Sequence, residues 1–291
     1  MKKTVAFLGL GTMGGAMTNN LLKAGFAVRG YDPAAEACAR AARNGVQILP
    51  SAAEAVTGVE VACSVVPGPD DVRALYLGER GVLAAAAGGT VCFDFSTITP
   101  EASCEVAEAA RKIGVSFLDT PVSGTAPRAV SAELTVMAGG DKAALEKHKD
   151  VLAAMTQSVT HFGPNGMGLR MKLVGNHLVS AQVCVLAEAL TLARKAGLDL
   201  DLAVAYLLQS PVMDTIRSKI RDVAKRNYPP AFKLDLMAKD LRQIAAMAEA
   251  AHAPIPFSAL AKQIFTAGQA IGRGGEDQTA VHEVYRRLAG D

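Results

Sequence analysis

The sequence predicts an α/β domain with a doubly wound, mainly parallel sheet, followed by an all-helical C-terminal domain. Three observations support this fold class. In the first half, short apolar runs alternate with helical patterns, which is typical of a parallel sheet covered by helices on both faces. A break rich in glycine and proline at 163–166 ends the alternation. Beyond it every apolar pattern has the helical period, beginning with one long segment without a convincing break.

The elements of the first domain follow from these patterns in chain order. Strands are predicted at 4–8, 27–31, 59–65, 90–95, 115–119 and 134–138 and, from a less regular pattern, at 158–162. Helices are predicted between them at 14–24, 34–43, 70–77 and 100–112. Ligands of such sheets bind at the carboxyl ends of the strands. The small and polar residues that follow strands 59–65 and 90–95 are therefore expected to face a ligand.

The second half begins with a long helix at about 166–195. At 1.5 Å per residue it would be roughly 40 Å long. We expect it to link two domains, 1–163 and 164–291, and to form one wall of the cleft between them. Further helices are predicted at about 200–208, 212–227, 232–251, 256–271 and 276–289, with proline or glycine at the joints between them.

Composition disfavours several classes of protein. The chain has 291 residues, of which 50% are hydrophobic and 20% charged, and its net charge is +2. This balance gives no basis for a nucleic-acid-binding surface. The first residues lead into an apolar run of strand length rather than a secretion signal. The most apolar long stretch, 174–190, is interrupted by Asn176, His177, Gln182 and Glu188, so no membrane span is expected.

Cysteine usage points to a reducing compartment. The five cysteines show no CxxC pair and no histidine at metal-ligand spacing: Cys38, Cys63, Cys92, Cys104 and Cys184. An odd and dispersed set is typical of reduced thiols. We therefore expect a cytoplasmic protein without a metal site, and a zinc-dependent enzyme is disfavoured.

A glycine-rich turn lies between the first strand and the first helical pattern, in the run Gly9-Leu10-Gly11-Thr12-Met13-Gly14. Its three glycines allow a tight turn, close approach of a pyrophosphate, and close packing of helix on strand. The N-terminus of the helix then offers N–H groups to the phosphates. Asp32 ends the following strand and completes the unit. These residues predict a dinucleotide site in a Rossmann-type domain, with a bare turn as the alternative.

Asp32 also bears on the choice of dinucleotide. A carboxylate at this position accepts hydrogen bonds from the ribose hydroxyls and repels a 2′-phosphate. The next residues, Pro33-Ala34-Ala35, carry no positive charge to receive such a phosphate. The sequence therefore favours NAD over NADP. A second interpretation, compatible with the first, is that Asp32 caps the next helix with Pro33 at its first position.

Two polar side chains interrupt the apolar pattern near the start of the long helix. Lys172 and Asn176 are four residues apart and so share one helix face. Spacing alone does not separate a lysine that works in the cleft from one that extends to the surface and pairs with a carboxylate. A loop at 119–125 leaves a strand through small residues whose N–H groups can bind a carboxylate, although a tight turn explains it equally well.

Taken together, four segments resemble the β-hydroxyacid dehydrogenase family, which contains 3-hydroxyisobutyrate dehydrogenase and tartronate semialdehyde reductase. In chain order they are FLGLGTMGGAM at 7–17, DFSTITP at 94–100, DTPVSGT at 119–125 and GMGLRMKLVGN at 166–176. A fifth, KDL at 239–241, follows in the helical half. The matches cover essentially the whole chain.

The resemblance implies a role for each site residue. Lys172 would be the catalytic residue, acting as general acid in reduction and general base in oxidation, and Asn176 would assist it. The carboxylate of a small anionic substrate would be held by three loop residues, Ser123, Gly124 and Thr125. The nicotinamide half of the cofactor would meet four residues, Val66, Pro67, Thr97 and Lys239. The resemblance also implies a homodimer or homotetramer built through the helical half.

The sequence departs from the family at three positions. Thr125 and Ala132 stand where glycine is usual, and Gly175 stands where asparagine is common. These departures leave the size and shape of the substrate open. The segment at 163–172 resembles the branch that reduces short semialdehydes. Arg217, in the helical half, either selects an acidic substrate or lies on a solvated helix face.

The leading hypothesis is an NAD-dependent 3-hydroxyacid dehydrogenase or semialdehyde reductase. One alternative is imine reduction on the same architecture, against which Lys172 counts because those enzymes replace the lysine. Another is an inactive dehydrogenase fold that serves as a binding module. The sequence retains both the lysine and the substrate loop, which counts against that alternative as well.

Overall fold

The structure, a computed structural model, describes residues 3–291, without the side chains of residues 212, 213, 215–217, 220 and 246. It divides into two compact units, Met1–His177 and Leu178–Asp291. The first is a sheet flanked by helices, and the second is built of helices and the loops between them. The predicted fold class is confirmed. The domain boundary predicted after residue 163 stays a prediction.

The part of the chain that the structure describes forms one nine-stranded sheet. Its strands are β1 (Thr4–Leu8), β2 (Ala27–Tyr31), β3 (Gln47–Ile48), β4 (Val61–Ser64), β5 (Val91–Asp94), β6 (Ser116–Asp119), β7 (Val122–Ser123), β8 (Leu134–Gly139) and β9 (Thr156–Gly163). Strands β3 and β7 were not predicted, because two residues are too few to show a period.

Strands β1 to β6 run parallel in the order β3-β2-β1-β4-β5-β6. The chain adds strands on one side of β1 first and then on the other. This reversal is the topological switch point at which doubly wound sheets bind ligands. Beyond β6 lies β8, antiparallel to both β6 and β7, and β9 pairs parallel with β8. The prediction of a mainly parallel sheet is therefore confirmed. The mixed edge formed by β7, β8 and β9 was not predicted.

Alternate residues of the central strand β1 pack on opposite faces of the sheet. Val5 and Phe7 join one buried cluster, and Ala6 and Leu8 join the other. A strand buried on both faces needs a continuous apolar run, which is why β1 lacks a polar alternation. On one face Phe7 stacks on Phe95, with ring centroids 6.5 Å apart.

The helices of the first unit lie between these strands. They are α1 (Thr12–Lys23), α2 (Ala35–Arg43), α3 (Ala52–Val56), α4 (Pro69–Leu77), α5 (Pro100–Lys112), α6 (Ala126–Val130), α7 (Lys142–Lys147) and α8 (Lys149–Ala153). Helix α1 starts two residues before its predicted position because the extended Gly11 serves as its N-cap. Three of the four unpredicted helices, α3, α6 and α8, are only five residues long.

The predicted long helix is α9 (Met167–Lys195). The helices that follow are α10 (Leu200–Gln209), α11 (Thr215–Ala224), α12 (Leu234–Ala250), α13 (Pro256–Ala270) and α14 (His282–Ala289). Helices α11 and α14 are shorter than predicted, because 3-10 turns at Pro211–Asp214 and Gln278–Val281 precede them.

Polar links support the small core of the second unit. Asp277 accepts a hydrogen bond from Lys219 at 2.9 Å, and Arg226 donates two to Glu283 at 3.0 and 2.9 Å. Glu188 of α9 is buried and accepts bonds from the N–H groups of Phe257 and Ser258, at 2.8 and 2.9 Å. It thereby caps α13, whose first-turn N–H groups have no partner inside the helix.

Among the described residues, α9 is the one helix whose length and composition would suit a membrane span. A long apolar helix of a water-soluble protein passes the same test. Glu188 lies within α9, and its carboxylate is bound to α13. Acidic side chains are rare within membrane spans, so Glu188 supports the view that α9 does not cross a bilayer. The absence of a membrane span nonetheless stays a prediction.

Candidate functional site

A cavity of about 700 Å³ opens at the switch point of the sheet in the first unit. Its lining includes most of the glycine run, Asp32, and two residues that follow β4: Gly9, Gly11, Thr12, Met13, Gly14, Asp32, Val66 and Pro67. Leu10 is buried just behind them. The structure thus brings the predicted pyrophosphate and ribose residues together around one cavity.

The three glycines of the run have different physical roles. Gly9 has φ +89°, and a Cβ on it would collide with the carbonyl oxygen of Val65. A Cβ on Gly14 would collide with the carbonyl oxygen of Gly9. Gly11 has no described atom within 4 Å of such a Cβ, so it borders open space. The first two glycines are required by the fold, and Gly11 leaves room for a ligand.

The residues of this turn fit a dinucleotide. Helix α1 begins at Thr12, and its N-cap Gly11 has no side chain with which to bond the first-turn N–H groups. Its first-turn N–H groups and the positive end of its dipole therefore point to the open space beside Gly11. That arrangement suits a pyrophosphate. The glycine run would hold the phosphates of NAD.

Asp32 joins the glycine run to the segment after β2. Its Oδ2 accepts a hydrogen bond from the Leu10 N–H at 2.6 Å, and its Oδ1 accepts one from the Ala34 N–H at 2.7 Å. A carboxylate has about four lone-pair positions, so it can accept further bonds from ribose hydroxyls. Helix α2 begins at Ala35 after Ala34, so Asp32 is not its N-cap and Pro33 is not at its first position.

Behind Val66, which the resemblance places near the nicotinamide, a buried hydrogen-bond network joins two loops. Ser96 Oγ accepts from the Val66 N–H at 2.9 Å and donates to Asp94 Oδ1 at 2.7 Å. Ser64 Oγ also donates to Asp94 Oδ1, at 2.7 Å, and is bonded to the hydroxyl of Tyr76. The segment containing Val66 is thereby fixed to the loop after β5. The sequence led us to expect the polar residues at this strand end to face a ligand, whereas Ser96 is buried and bonds Val66 and Asp94. No structural role was predicted for Asp94, although an acid ending an apolar strand was an available signal.

Thr97 is an exposed residue of that second loop. Its neighbours Ser96 and Ile98 are buried, so Thr97 alone of the three presents its side chain to solvent. It lies in the first unit but does not line the glycine-run cavity. Its predicted contact with the cofactor stays a prediction.

The predicted substrate loop begins buried and ends exposed. Asp119 and Thr120 are buried, whereas Ser123, Gly124 and Thr125 are exposed. Strand β7 pairs antiparallel with β8 and so holds Ser123 in place. Gly124 has φ +138°, and a Cβ on it would lie 2.7 Å from Leu134 Cδ2. The backbone conformation therefore favours glycine here, and a larger residue would also have to displace the end of the Leu134 side chain.

The three departures from the family pattern have different structural settings. Thr125 has φ −98° and precedes α6, so its backbone does not need glycine. Ala132 has φ +58°, a conformation that favours glycine. A Cβ on Gly175 would meet no described atom within 4 Å, so a side chain would have room there. Only the Ala132 departure is a strained one.

Lys172 and Asn176 lie one turn apart on α9. Lys172 is partly buried, and Asn176 is exposed. Burial lowers the pKa of the Lys172 ammonium below its ordinary value. A lysine with a lowered pKa exchanges protons more readily near neutral pH than a solvated one. Both residues lie in the first unit, outside the glycine-run cavity.

Asp119 is a second buried acid that sequence analysis treated only as the start of a loop. Its Oδ1 accepts from the Gly166 N–H at 2.7 Å, and its Oδ2 accepts from the Leu169 N–H at 3.0 Å. Burial raises the pKa of this carboxyl, and the two N–H donors oppose the rise. Asp119 thus joins the end of β6 to the beginning of α9.

Two predicted residues belong to the second unit. Lys239 lies on α12 and forms an ion pair with Asp240, with Nζ 3.1 Å from Oδ1. Its predicted contact with the cofactor stays a prediction. The side chain of Arg217 lies outside the described residues.

Both halves of the chain match known protein families. Residues 4–163 match the family described as the NAD binding domain of 6-phosphogluconate dehydrogenase. Residues 166–285 match the family described as NAD-binding of NADP-dependent 3-hydroxyisobutyrate dehydrogenase.

Curated relatives match over nearly the whole chain. A 3-hydroxyisobutyrate dehydrogenase of Pseudomonas aeruginosa is 35% identical over 97% of this chain and 98% of its own length. A 3-sulfolactaldehyde reductase of Escherichia coli is 32% identical over 98% of this chain and 97% of its own length.

Solved structures share the fold. The 3-hydroxyisobutyrate dehydrogenase of Mycobacterium tuberculosis with L-serine is 34% identical, with a TM-score of 0.66 over 98% of this chain and 100% of that one. An imine reductase of Myxococcus stipitatus in complex with NADP⁺ has a TM-score of 0.86 over 96% of this chain and 99% of that one. Its identity is only 18%, so it shows a likeness of fold alone.

Proposed function

Because the chain belongs to the β-hydroxyacid dehydrogenase family and is accordingly an NAD-dependent oxidoreductase, we propose that Lys172 carries the proton in its reaction. The reaction interconverts a short β-hydroxyacid and its semialdehyde. The observation that carries the proposal is the partly buried Lys172, whose pKa is lowered by burial, one turn before Asn176 on α9.

The bound cofactor supplies the hydride acceptor for oxidation and the hydride donor for reduction. Neutral Lys172 accepts the hydroxyl proton during oxidation, and its ammonium returns a proton to the carbonyl oxygen during reduction. Desolvation makes the neutral form accessible at a lower pH than for a solvated lysine. Asn176, about 6 Å further along the helix axis, orients the lysine and the substrate oxygen.

The substrate carboxylate is proposed to bind at Ser123, Gly124 and Thr125. These three residues are exposed where the short strand β7, paired with β8, ends. Thr125 precedes α6 without capping it through its side chain, which leaves its hydroxyl for a ligand. Hydroxyl and N–H donors suit a carboxylate or a related anion such as a sulfonate.

The proposal on Lys172 is tested by Lys172→Ala. We expect kcat to fall by about 10²- to 10⁴-fold, the usual contribution of a positioned acid or base. The pH profile of oxidation should lose the ionisation that, in the unmodified protein, lies below the ordinary pKa of lysine, 10.5. NADH affinity should be unchanged, since the glycine run is intact.

The matched control is Lys195→Ala, which removes an exposed lysine from the last turn of the same helix. It should leave turnover and its pH profile unchanged. Turnover of Lys172→Ala close to that of the unmodified protein would contradict the proposed role.

The substrate itself is tested by NADH consumption. The panel holds succinic semialdehyde, glyoxylate, methylmalonate semialdehyde, tartronate semialdehyde and sulfolactaldehyde, with NADPH in parallel. Strong turnover of one compound with NADH would identify the substrate. Absence of turnover with all five, despite tight NADH binding, would favour a substrate outside the panel or the binding-module alternative.

We also propose that the protein is a homodimer or homotetramer. Large apolar side chains are exposed on α9 and α10, among them Val183, Leu202 and Tyr206. Exposed apolar patches of this kind mark interaction surfaces. The scattered cysteines support a cytoplasmic location, and none of the five is disulfide-bonded in the structure. No nucleic-acid partner is proposed.

A further inference from the structure

A buried junction lies where β6, β8, α5 and α9 meet. At its centre is the Asp119 carboxylate, which is 1% exposed. It accepts hydrogen bonds from the N–H groups of Gly166 and Leu169, at 2.7 and 3.0 Å, and from Ser103 Oγ at 3.3 Å. Asp119 thus contacts α5 and the start of α9 from the end of β6.

Two glycines make room for this carboxylate. A Cβ on Gly139, at the end of β8, would lie 2.6 and 2.8 Å from the two oxygens of Asp119. A Cβ on Gly168, in the first turn of α9, would lie 2.9 Å from Oδ2. Any residue larger than glycine at either position would therefore press on the carboxylate of Asp119.

Asp119 supplies the cap that α9 lacks locally. Gly166 precedes α9, and its carbonyl accepts the bond from the Arg170 N–H, as an N-cap residue does. Glycine has no side chain with which to bond the N–H groups of the first turn. Asp119 bonds the N–H of Leu169 in its place, and the negative charge suits the positive end of the helix dipole.

On α9, the capped turn immediately precedes the proposed catalytic lysine. Lys172 is three residues after Leu169, a rise of about 4.5 Å along the axis. The backbone of Asp119 itself continues into the loop that ends at Ser123, Gly124 and Thr125. One residue therefore bonds the helix that bears the lysine and also begins the loop proposed to hold the substrate.

We propose that Asp119 is a positioning residue, which fixes the first turn of α9, and with it Lys172, to the strand end from which the proposed substrate loop begins. This inference rests on the proposed function of Lys172. Displacement of a reacting group by about 1 Å costs up to about 10²-fold in rate. Because Asp119 is buried, it would act through the position of α9 rather than by direct contact with cofactor or substrate.

The test is Asp119→Asn, alone and combined with Lys172→Ala. The asparagine oxygen can accept from Gly166 or from Leu169, but its amide nitrogen cannot accept from the other. We expect kcat to fall by about 10- to 100-fold in the otherwise unmodified enzyme. In the Lys172→Ala background Asp119→Asn should cause no further fall, because there is no lysine left to position. The NADH dissociation constant should be unchanged throughout.

The control for a general loss of stability is Val151→Ala. Val151 is fully buried on α8, which makes none of the hydrogen bonds to Asp119 given above, and its truncation should destabilise the same unit. It should leave kcat unchanged at a temperature where the protein stays folded. If Asp119→Asn does not fold, Ser103→Ala removes one donor from the same carboxylate. It should give a smaller fall in kcat that also disappears in the Lys172→Ala background.

Two outcomes would overturn the inference. One is an unchanged kcat in Asp119→Asn, or in Ser103→Ala where that variant replaces it. The other is an equal fall with and without Lys172, which would indicate a structural role only. A Lys172→Ala enzyme with normal turnover would instead refute the proposed function, so the two failures are distinguishable.

Discussion

Asp94 and Asp119 are directly paired residues at the ends of the neighbouring strands β5 and β6, and both are buried. Each carboxylate ties together segments that are distant in the sequence. Asp94 holds the Ser96 hydroxyl that bonds Val66, and Asp119 holds the start of α9. A buried ionised carboxylate is costly unless hydrogen bonds satisfy it. Asp94 Oδ2 has no hydrogen-bond partner among the described residues, so hydrogen bonds offset the burial of Asp94 less completely than that of Asp119.

This burial predicts a pH dependence of stability. Burial raises the pKa of Asp94 from its ordinary value of 3.8 to about 6, against the opposing effect of the Ser64 and Ser96 hydroxyls. The folded protein therefore binds the proton more tightly than the unfolded chain does. The contribution of Asp94 to stability is fully present below pH 3.8 and is lost as pH rises through about 6. The loss amounts to about 3 kcal/mol.

The change that tests this is Asp94→Asn, a neutral isostere whose oxygen still accepts from both hydroxyls. The free energy of unfolding of the variant, relative to the unmodified protein, should rise between pH 4 and pH 7 and then stay level. Urea unfolding across this range measures it. Asp70→Asn, at a 96% exposed acid, should show no such rise. Parallel pH profiles for Asp94→Asn and the unmodified protein would show that Asp94 is not the group responsible.

At the scale of elements, the segment between α6 and β8 contains a strained residue. Ala132 has φ +58°, and it stands where the resemblance leads one to expect glycine. A left-handed conformation costs an L-residue roughly 1–2 kcal/mol. A glycine at position 132, as in the family pattern, would adopt this conformation without strain where the chain reverses before β8.

Ala132→Gly should stabilise the protein. Glycine relieves the strain of the left-handed conformation, but it also gives the unfolded chain more conformational entropy. The net result should be a rise of about 0.5–1 kcal/mol in the free energy of unfolding. Thermal or urea unfolding measures it. The matched control is Ala154→Gly, at a residue with φ −69°, where the same change should destabilise. A loss of stability in Ala132→Gly would show that Ala132 is not strained in solution.

At the scale of the whole molecule, the two units differ in how they bury apolar surface. The first has two large clusters, one on each face of its sheet. The second has a small cluster of Tyr228, Leu234 and Ala280. Its helices meanwhile expose large apolar side chains, including Leu202 at 72% and Leu208 at 79%. A second copy of the chain would cover such surface, as the proposed oligomer requires.

Val183→Glu tests the oligomer. Val183 is 60% exposed on α9. If this surface is an interface, a charge buried there should weaken association by about tenfold or more. Light scattering across a dilution series measures the change in mass. Ile113→Glu, at a 44% exposed residue of the first unit, should leave the mass unchanged. A monomer in the unmodified protein at micromolar concentration would contradict the proposal.

Local patterns in the sequence determined much of this protein. The period of apolar residues predicted the central strands, the long α9 and the helical second half, because burial on a strand or helix face imposes that period. The glycine run and Asp32 predicted the cofactor turn, since its tight geometry requires glycine at fixed spacings. Spacing also singled out Lys172, Asn176 and the loop at 119–125, and the resemblance added their roles.

Only the tertiary structure decided how these parts are joined. Asp119 bonds Leu169, 50 residues away, and Ser96 bonds Val66, 30 residues away. No local period or spacing encodes such pairs, because each partner looks ordinary within its own segment. The same holds for the mixed sheet edge, where β8 pairs with three other strands. Strand order and buried polar contacts are properties of the folded chain, so the sequence predicted the parts of the site and the fold supplied its connections.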